Sequence, residues 1–112
     1  MNDLEICRRI AEIESIKGLV TNSTTQTLVY GDSLGICSEV RHYNPLKDDA
    51  LCFRLMVKYE IDFEQVYTSD GEIVCCGCKW LTPECYGSFY RSVQDENPNK
   101  AICRAIVEAH ND

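Results

Sequence analysis

The densest chemistry in the chain is a run of cysteines, Cys75-Cys76-Gly77-Cys78, with Cys85 shortly after it. Zinc needs four thiolate or imidazole ligands converging on one point, and Cys75 and Cys78 have the two-residue spacing of a zinc knuckle. Cys75, Cys78 and Cys85 are therefore the candidate metal ligands. The local strand pattern argues against that use. Asp70-Gly71 reads as a two-residue hairpin loop. Such a loop pairs Tyr67 with Val74, Gln65 with Cys76, Phe63 with Cys78 and Ile61 with Trp80. Side-chain alternation then gathers Ile61, Phe63, Tyr67, Val74, Cys76, Cys78 and Trp80 on one apolar face and turns Cys75 the other way, beside Lys79 and Glu64. A second two-cysteine knuckle is missing. The expectation is buried, reduced thiols, with neither metal nor cofactor.

Nucleophilic chemistry has one motif to offer. Gly31-Asp32-Ser33-Leu34, after the apolar Leu28-Val29-Tyr30, resembles the signature of GDSL esterases and lipases. That resemblance implies a serine nucleophile and an Asp three residues before a C-terminal His. His110 is near the C-terminus, but Val107 occupies the place of the Asp. Gly-Asp-Ser also has a plain reading as a turn. His42 and His110 are the only histidines, and no phosphate-binding glycine loop is present. The expectation is a protein without catalytic residues.

Two binding surfaces remain. Asp62, Glu64, Val66, Glu72, Ile73 and Lys79 alternate out of the core pattern of the hairpin, mixing acids with apolar groups, and suit a protein partner with a basic surface. Arg41, Tyr43, Arg54 and Arg91 are the set that would hold a small nucleotide-like ligand if they converged.

Composition bounds these options. The 112 residues carry 11 Lys+Arg against 18 Asp+Glu, a net charge of −7. Acidity disfavours direct binding to a phosphate backbone. With 45% apolar and 26% charged residues the chain should fold, as a single domain over residues 1–112. No apolar run approaches the ~18 residues that span a membrane, and Met1-Asn2-Asp3-Leu4-Glu5 is unlike a signal peptide. A cytoplasmic location with reduced thiols follows as an expectation.

The elements that must position these residues are marked by an internal echo. Asn44-Pro45 precedes a stripe of Leu51, Cys52, Leu55, Met56 and Tyr59; Asn97-Pro98 precedes Ile102, Cys103, Ile106, Val107 and His110. Each is an N-cap and a helix-compatible proline leading into one amphipathic face. Helices are expected over Asp3–Lys17, with Gly18 as its C-cap, over Pro45–Tyr59, and after Asn97. Strands are expected at Thr24–Tyr30, Leu34–Val40, Ile61–Ser69, Glu72–Leu81 and Tyr86–Val93, with Thr82-Pro83 breaking the ladder. The order α-β-β-α-β-β-β-α gives an α+β fold with a mainly antiparallel sheet of about five strands.

His42-Tyr43-Asn44-Pro45-Leu46-Lys47-Asp48-Asp49-Ala50-Leu51-Cys52-Phe53 through Tyr59, together with Asp95-Glu96-Asn97-Pro98-Asn99-Lys100-Ala101-Ile102-Cys103, resembles the NinX-like group of small phage and prophage proteins and its relatives, described as phage α/β/α sandwich domains. The resemblance covers about a third of the chain and rests mainly on helix caps. It implies an α/β/α sandwich and an accessory protein acting in an infected or lysogenic bacterium. It assigns no catalytic residue. The leading expectation is a non-enzymatic binder that modulates or inhibits a partner, including a bacterial defence system. A sponge for a nucleotide-like ligand and a small zinc module are the alternatives.

Overall fold

The computed structural model describes residues 1–31, 41–80 and 90–110, with residues 79–80 and 90–92 described by backbone alone. The fold is α+β. Its elements run α1 (Asp3–Ile13), β1 (Leu19–Asn22), β2 (Thr27–Tyr30), β3 (His42–Tyr43), α2 (Asp49–Lys58), β4 (Ile61–Tyr67), β5 (Ile73–Trp80), β6 (Tyr90–Asp95) and α3 (Pro98–Ala109). Among the described residues the strands form two antiparallel three-stranded sheets, β1-β2-β3 and β4-β5-β6, in place of the expected single sheet of about five. The expected strand Leu34–Val40, Ser33, the Thr82-Pro83 break and the start of the Tyr86 strand lie outside the described residues.

Helix α1 starts as expected, with Asn2 Oδ1 accepting from the Glu5 N–H at 2.8 Å. It ends four residues before the expected Lys17. Ser15 takes the left-handed conformation (φ 56°). Ile16 N–H then donates to Ala11 O, and Ser15 N–H to Glu12 O, each at 3.0 Å. This is the paired hydrogen bond of a Schellman stop, with Ser15 doing what was expected of Gly18. The chain then enters β1 at Leu19, a strand not expected from the sequence. Thr24 and Thr25, which look like strand formers, sit instead in the β1–β2 turn, where their N–H groups donate to Asn22 Oδ1.

The two Asn-Pro segments behave differently. Asn97 caps α3 directly, accepting from Lys100 N–H at 3.1 Å. Asn44 holds a separate turn through Leu46 N–H at 3.1 Å, and Asp48 caps α2 through Leu51 N–H at 3.1 Å. Asn44 stands two residues further from its stripe than Asn97 does and Asp48 two residues nearer; the Asn44 side chain is used in its own turn, which leaves the cap to Asp48. The helix expected from Pro45 therefore begins at Asp49.

With that adjustment the echo becomes a structural repeat: three antiparallel strands followed by a helix, twice over. The repeated stripes meet each other. The Cys52 and Cys103 thiols are neighbours, and the rings of Tyr59 and His110 pack edge to face with centroids 5.2 Å apart. Equivalent residues meet at both ends, so α2 and α3 run parallel and in register. Asn99 Nδ2 ties their N-terminal ends, donating to Leu46 O and to the Asp49 carboxylate.

Helix α3 is the centre. It packs on all three strands of β4-β5-β6, on α2 and on α1, while α1 also packs on β2. Helices α1 and α3 thus link the first sheet to the second, unlike the layer order expected for an α/β/α sandwich. Ile6 and Ile10 of α1, Leu28 and Tyr43 of the first sheet, Cys52 and Leu55 of α2, Ile61 and Val93 of the second sheet, and Cys103 and Ile106 of α3 share one contiguous core. Lys100 pairs with Asp3 at 3.0 Å and Arg9 donates to His110 O at 3.2 Å, clamping α1 on α3. Glu14, at the end of α1, accepts from Lys58 Nζ at 2.7 Å and from the Tyr59 hydroxyl. Burial would raise this carboxyl, but those two donors and the Lys58 charge hold it below its ordinary range.

Candidate functional site: the two faces of the β4–β5 hairpin

The hairpin that carries the cysteine run turns on three residues. Thr68 N–H donates to Glu72 O at 2.8 Å, Gly71 N–H donates to Thr68 O at 3.0 Å, and Gly71 has φ +83°. This is a tight turn over Ser69 and Asp70 followed by a glycine bulge, one residue longer than the expected Asp70-Gly71 loop. The pairing slips with it: Tyr67 faces Ile73, Gln65 faces Cys75, Phe63 faces Gly77 and Ile61 faces Lys79.

A one-residue slip exchanges faces on one of the two strands. Ile61, Phe63 and Tyr67 keep the orientation expected of them. On β5 the assignment reverses: Cys75 and Gly77 share their face, and Val74, Cys76 and Cys78 take the other. The inner face is the one against α3. A Cβ built on Gly77 would come within 2.6 Å of Ala101 O and 3.1 Å of Ala105 Cβ. Only a glycine lets the helix lie this close. Cys75, expected to point outward, is buried there, its thiol 3.8 Å from Glu96 O. Val93 completes this packing from β6, opposite Gly77.

The slip also divides the expected partner surface. Asp62, Glu64 and Val66 lie on the outer face, while Ile73 and Lys79 occupy inner-face positions of β5, and Glu72 closes the loop. Near the free end, the inner face runs past its packing. Phe63, Tyr67 and Ile73 are 38%, 76% and 53% exposed and stand on one side of the ladder. Asp70 and Glu72 are exposed beside them.

The expected zinc set is not assembled. Cys75 and Cys78 project from opposite faces in either register, and Cys85 lies outside the described residues. The outer face instead brings Cys76 Sγ to 3.5 Å from Cys78 Sγ, with the Glu64 carboxylate alongside. Cys76 is buried and Cys78 half-buried. The Cys78 thiol is pushed up to about 11, first by burial, then by its hydrogen bond to Cys76 and by the charges of Glu64 and Asp62.

The expected nucleotide-binding set does not converge either. Tyr43 is enclosed in the core, 2% exposed, pairing with Leu28 across the first sheet. Its hydroxyl is buried without a hydrogen-bond partner among the described residues, and burial raises its pKa. Arg41 lies over the Tyr30 ring at 4.7 Å, and Arg54 is exposed on α2. Arg91 is described by its backbone, opposite Lys79 on β6. His42 lines an open groove of about 390 Å³ with Thr27, Asn44, Lys47 and Asp48.

The sequence held one unused signal for these faces. Gly77 interrupts the apolar run Ile73-Val74-Cys75-Cys76, and Ala101 and Ala105 sit one turn apart on the last helix. A strand glycine facing a small-residue helix stripe marks close approach, and it would have set the register. Comparison with protein-family models, with curated proteins and with solved structures returned no match. No helix among the described residues is long and apolar enough to cross a membrane.

Proposed function

We propose that the chain is a non-enzymatic binding protein that grips a protein partner with the free end of the β4–β5 hairpin. The observation that carries this reading is the exposed pair Tyr67 and Ile73 on the last rung of the ladder, with Phe63 partly exposed further down the same side beyond Gln65. Two aromatic rings and an isoleucine in solvent supply the buried centre that an interface needs. Asp70 and Glu72 rim this patch, and the chain carries a net charge of −7, so a partner with a basic surface is favoured. The resemblance of the Asn-Pro helices to small phage proteins makes an accessory role in an infected bacterium the context, with a component of a host defence system as the partner class to be modulated or inhibited.

The test is co-purification from phage-infected cells with wild-type protein and with Tyr67→Ala and Ile73→Ser. A partner held by wild type should bind Tyr67→Ala about 30-fold more weakly, the size of a hot-spot truncation. The melting temperature should not move, because both side chains are exposed. A partner retained at full affinity by the double variant would sink the proposal.

A further inference from the structure

We propose that Cys76, Cys78 and Glu64 bind a thiophilic divalent cation, zinc above all, on the outer face of the hairpin. The register places Glu64 directly opposite Cys76 and Asp62 directly opposite Cys78. The Glu64 carboxylate and the two sulfurs all lie within 4.8 Å of one another. The two sulfurs are 3.5 Å apart. Two zinc–thiolate bonds of about 2.3 Å at the tetrahedral angle set their sulfurs about 3.8 Å apart, so little movement is needed. A disulfide fits less well. It requires sulfurs about 2.05 Å apart, and residues two apart on a strand have Cα atoms near ~6.8 Å, the upper end of what a disulfide spans.

Charge favours the same occupant. Glu64 and Asp62 add negative charge beside Cys78, and β6 sets the uncharged Gln94 and Ser92 opposite Cys76 and Cys78. Lys79 and Arg91 fall at register positions of the other face. Two thiolates formed here would repel each other and the carboxylates; a divalent cation converts that repulsion into attraction. On binding, each thiol exchanges its S–H bond for a sulfur–metal bond and its proton leaves to solvent. Thiolate sulfur selects zinc over magnesium or calcium. Three ligands among the described residues leave one tetrahedral position for a further ligand or water.

This site is independent of the docking proposal, because it occupies the opposite face and its test uses no partner. Fully reduced protein, kept in a non-chelating reductant, is titrated with Co²⁺ and then with Zn²⁺. One equivalent of Co²⁺ should bind with a thiolate-to-cobalt charge-transfer band, and Zn²⁺ should displace it. Affinity should fall roughly 100-fold per pH unit toward acid, for two protons released. Cys76→Ser and Cys78→Ser should each remove the band. Glu64→Gln should keep it and weaken binding about tenfold or more. Cys75→Ser, one residue away on the other face, should bind as wild type does. Native mass of the wild type after zinc incubation gives the stoichiometry without any variant. Absence of the band and of the one-zinc mass would overturn the proposal. So would undiminished binding by Cys78→Ser, or a loss in Cys75→Ser as deep as in Cys76→Ser.

Discussion

The two strand-strand-strand-helix units share an Asn-Pro pair and a stripe, yet they are used very differently. In the first, strands of 4, 4 and 2 residues lead to α2, which buries Cys52 and Leu55. In the second, strands of 7, 8 and 6 residues lead to α3, which buries Ala101, Ile102, Cys103, Ala105, Ile106 and Val107. The stripes are equivalent; the other side of each helix is not. Where α3 has Ala101 and Ala105 against Gly77, α2 has Ala50 and Arg54 in solvent. Phe53 and Val57 are also exposed on α2, at 61% and 60%. A helix with one apolar stripe can lie at the edge of a core. A helix with a second face, made of small residues, can lie inside it.

That contrast breaks most readily at the shared stripe. Ile106→Ala and Leu55→Ala remove equivalent residues, and each should cost about 2–5 kcal/mol, with Ile106 at the upper end because α3 is enclosed on more sides. Urea unfolding of both variants gives the order; equal losses would mean that α2 is as central as α3. The second face is tested by Gly77→Ala. The added methyl meets the backbone of α3, and separating strand from helix should cost about 3 kcal/mol, the scale of severe overpacking. A loss below about 0.5 kcal/mol by the same measurement would restore the shorter hairpin loop and its register. The smallest effect concerns the caps. Asp48→Ala and Asn97→Ala should each cost about 1 kcal/mol, read from melting temperature and helical circular dichroism. If Asp48→Ala were silent, the start of α2 would return to Pro45.

What the sequence revealed and what it hid divide along physical lines. Long periodic segments were legible: the three helices, both stripes and the existence of the β4–β5 hairpin follow from spacing alone. Boundaries that depend on one residue's backbone were not. Ser15 in the left-handed region stops α1 where Gly18 looked the natural stop, and Asp48, four residues further on, displaces Asn44 as the cap of α2. The site suffered from the same kind of detail, magnified. A glycine bulge at Gly71 adds one residue to the turn, and one residue moves Cys76 and Cys78 from the core side to the outer side. The thiols were thus recognised as a cluster but grouped with the wrong partners: Cys75 in place of Cys76, and no place for Glu64.

The clamp between α1 and α3 has a consequence for the order of folding. The Arg9 contact to the His110 carbonyl closes over 101 residues, and Ile6 and Ile10 reach the shared core only once α3 is in place. The β1–β2 and β4–β5 hairpins can zip from their own turns within microseconds, but α1, which can lie on β2 early, gains the larger part of its packing only when the opposite end of the described chain has formed its helix. Contacts of such long sequence separation are made late and slow the whole reaction. The helix first in sequence is, on this topology, among the last pieces to find its place.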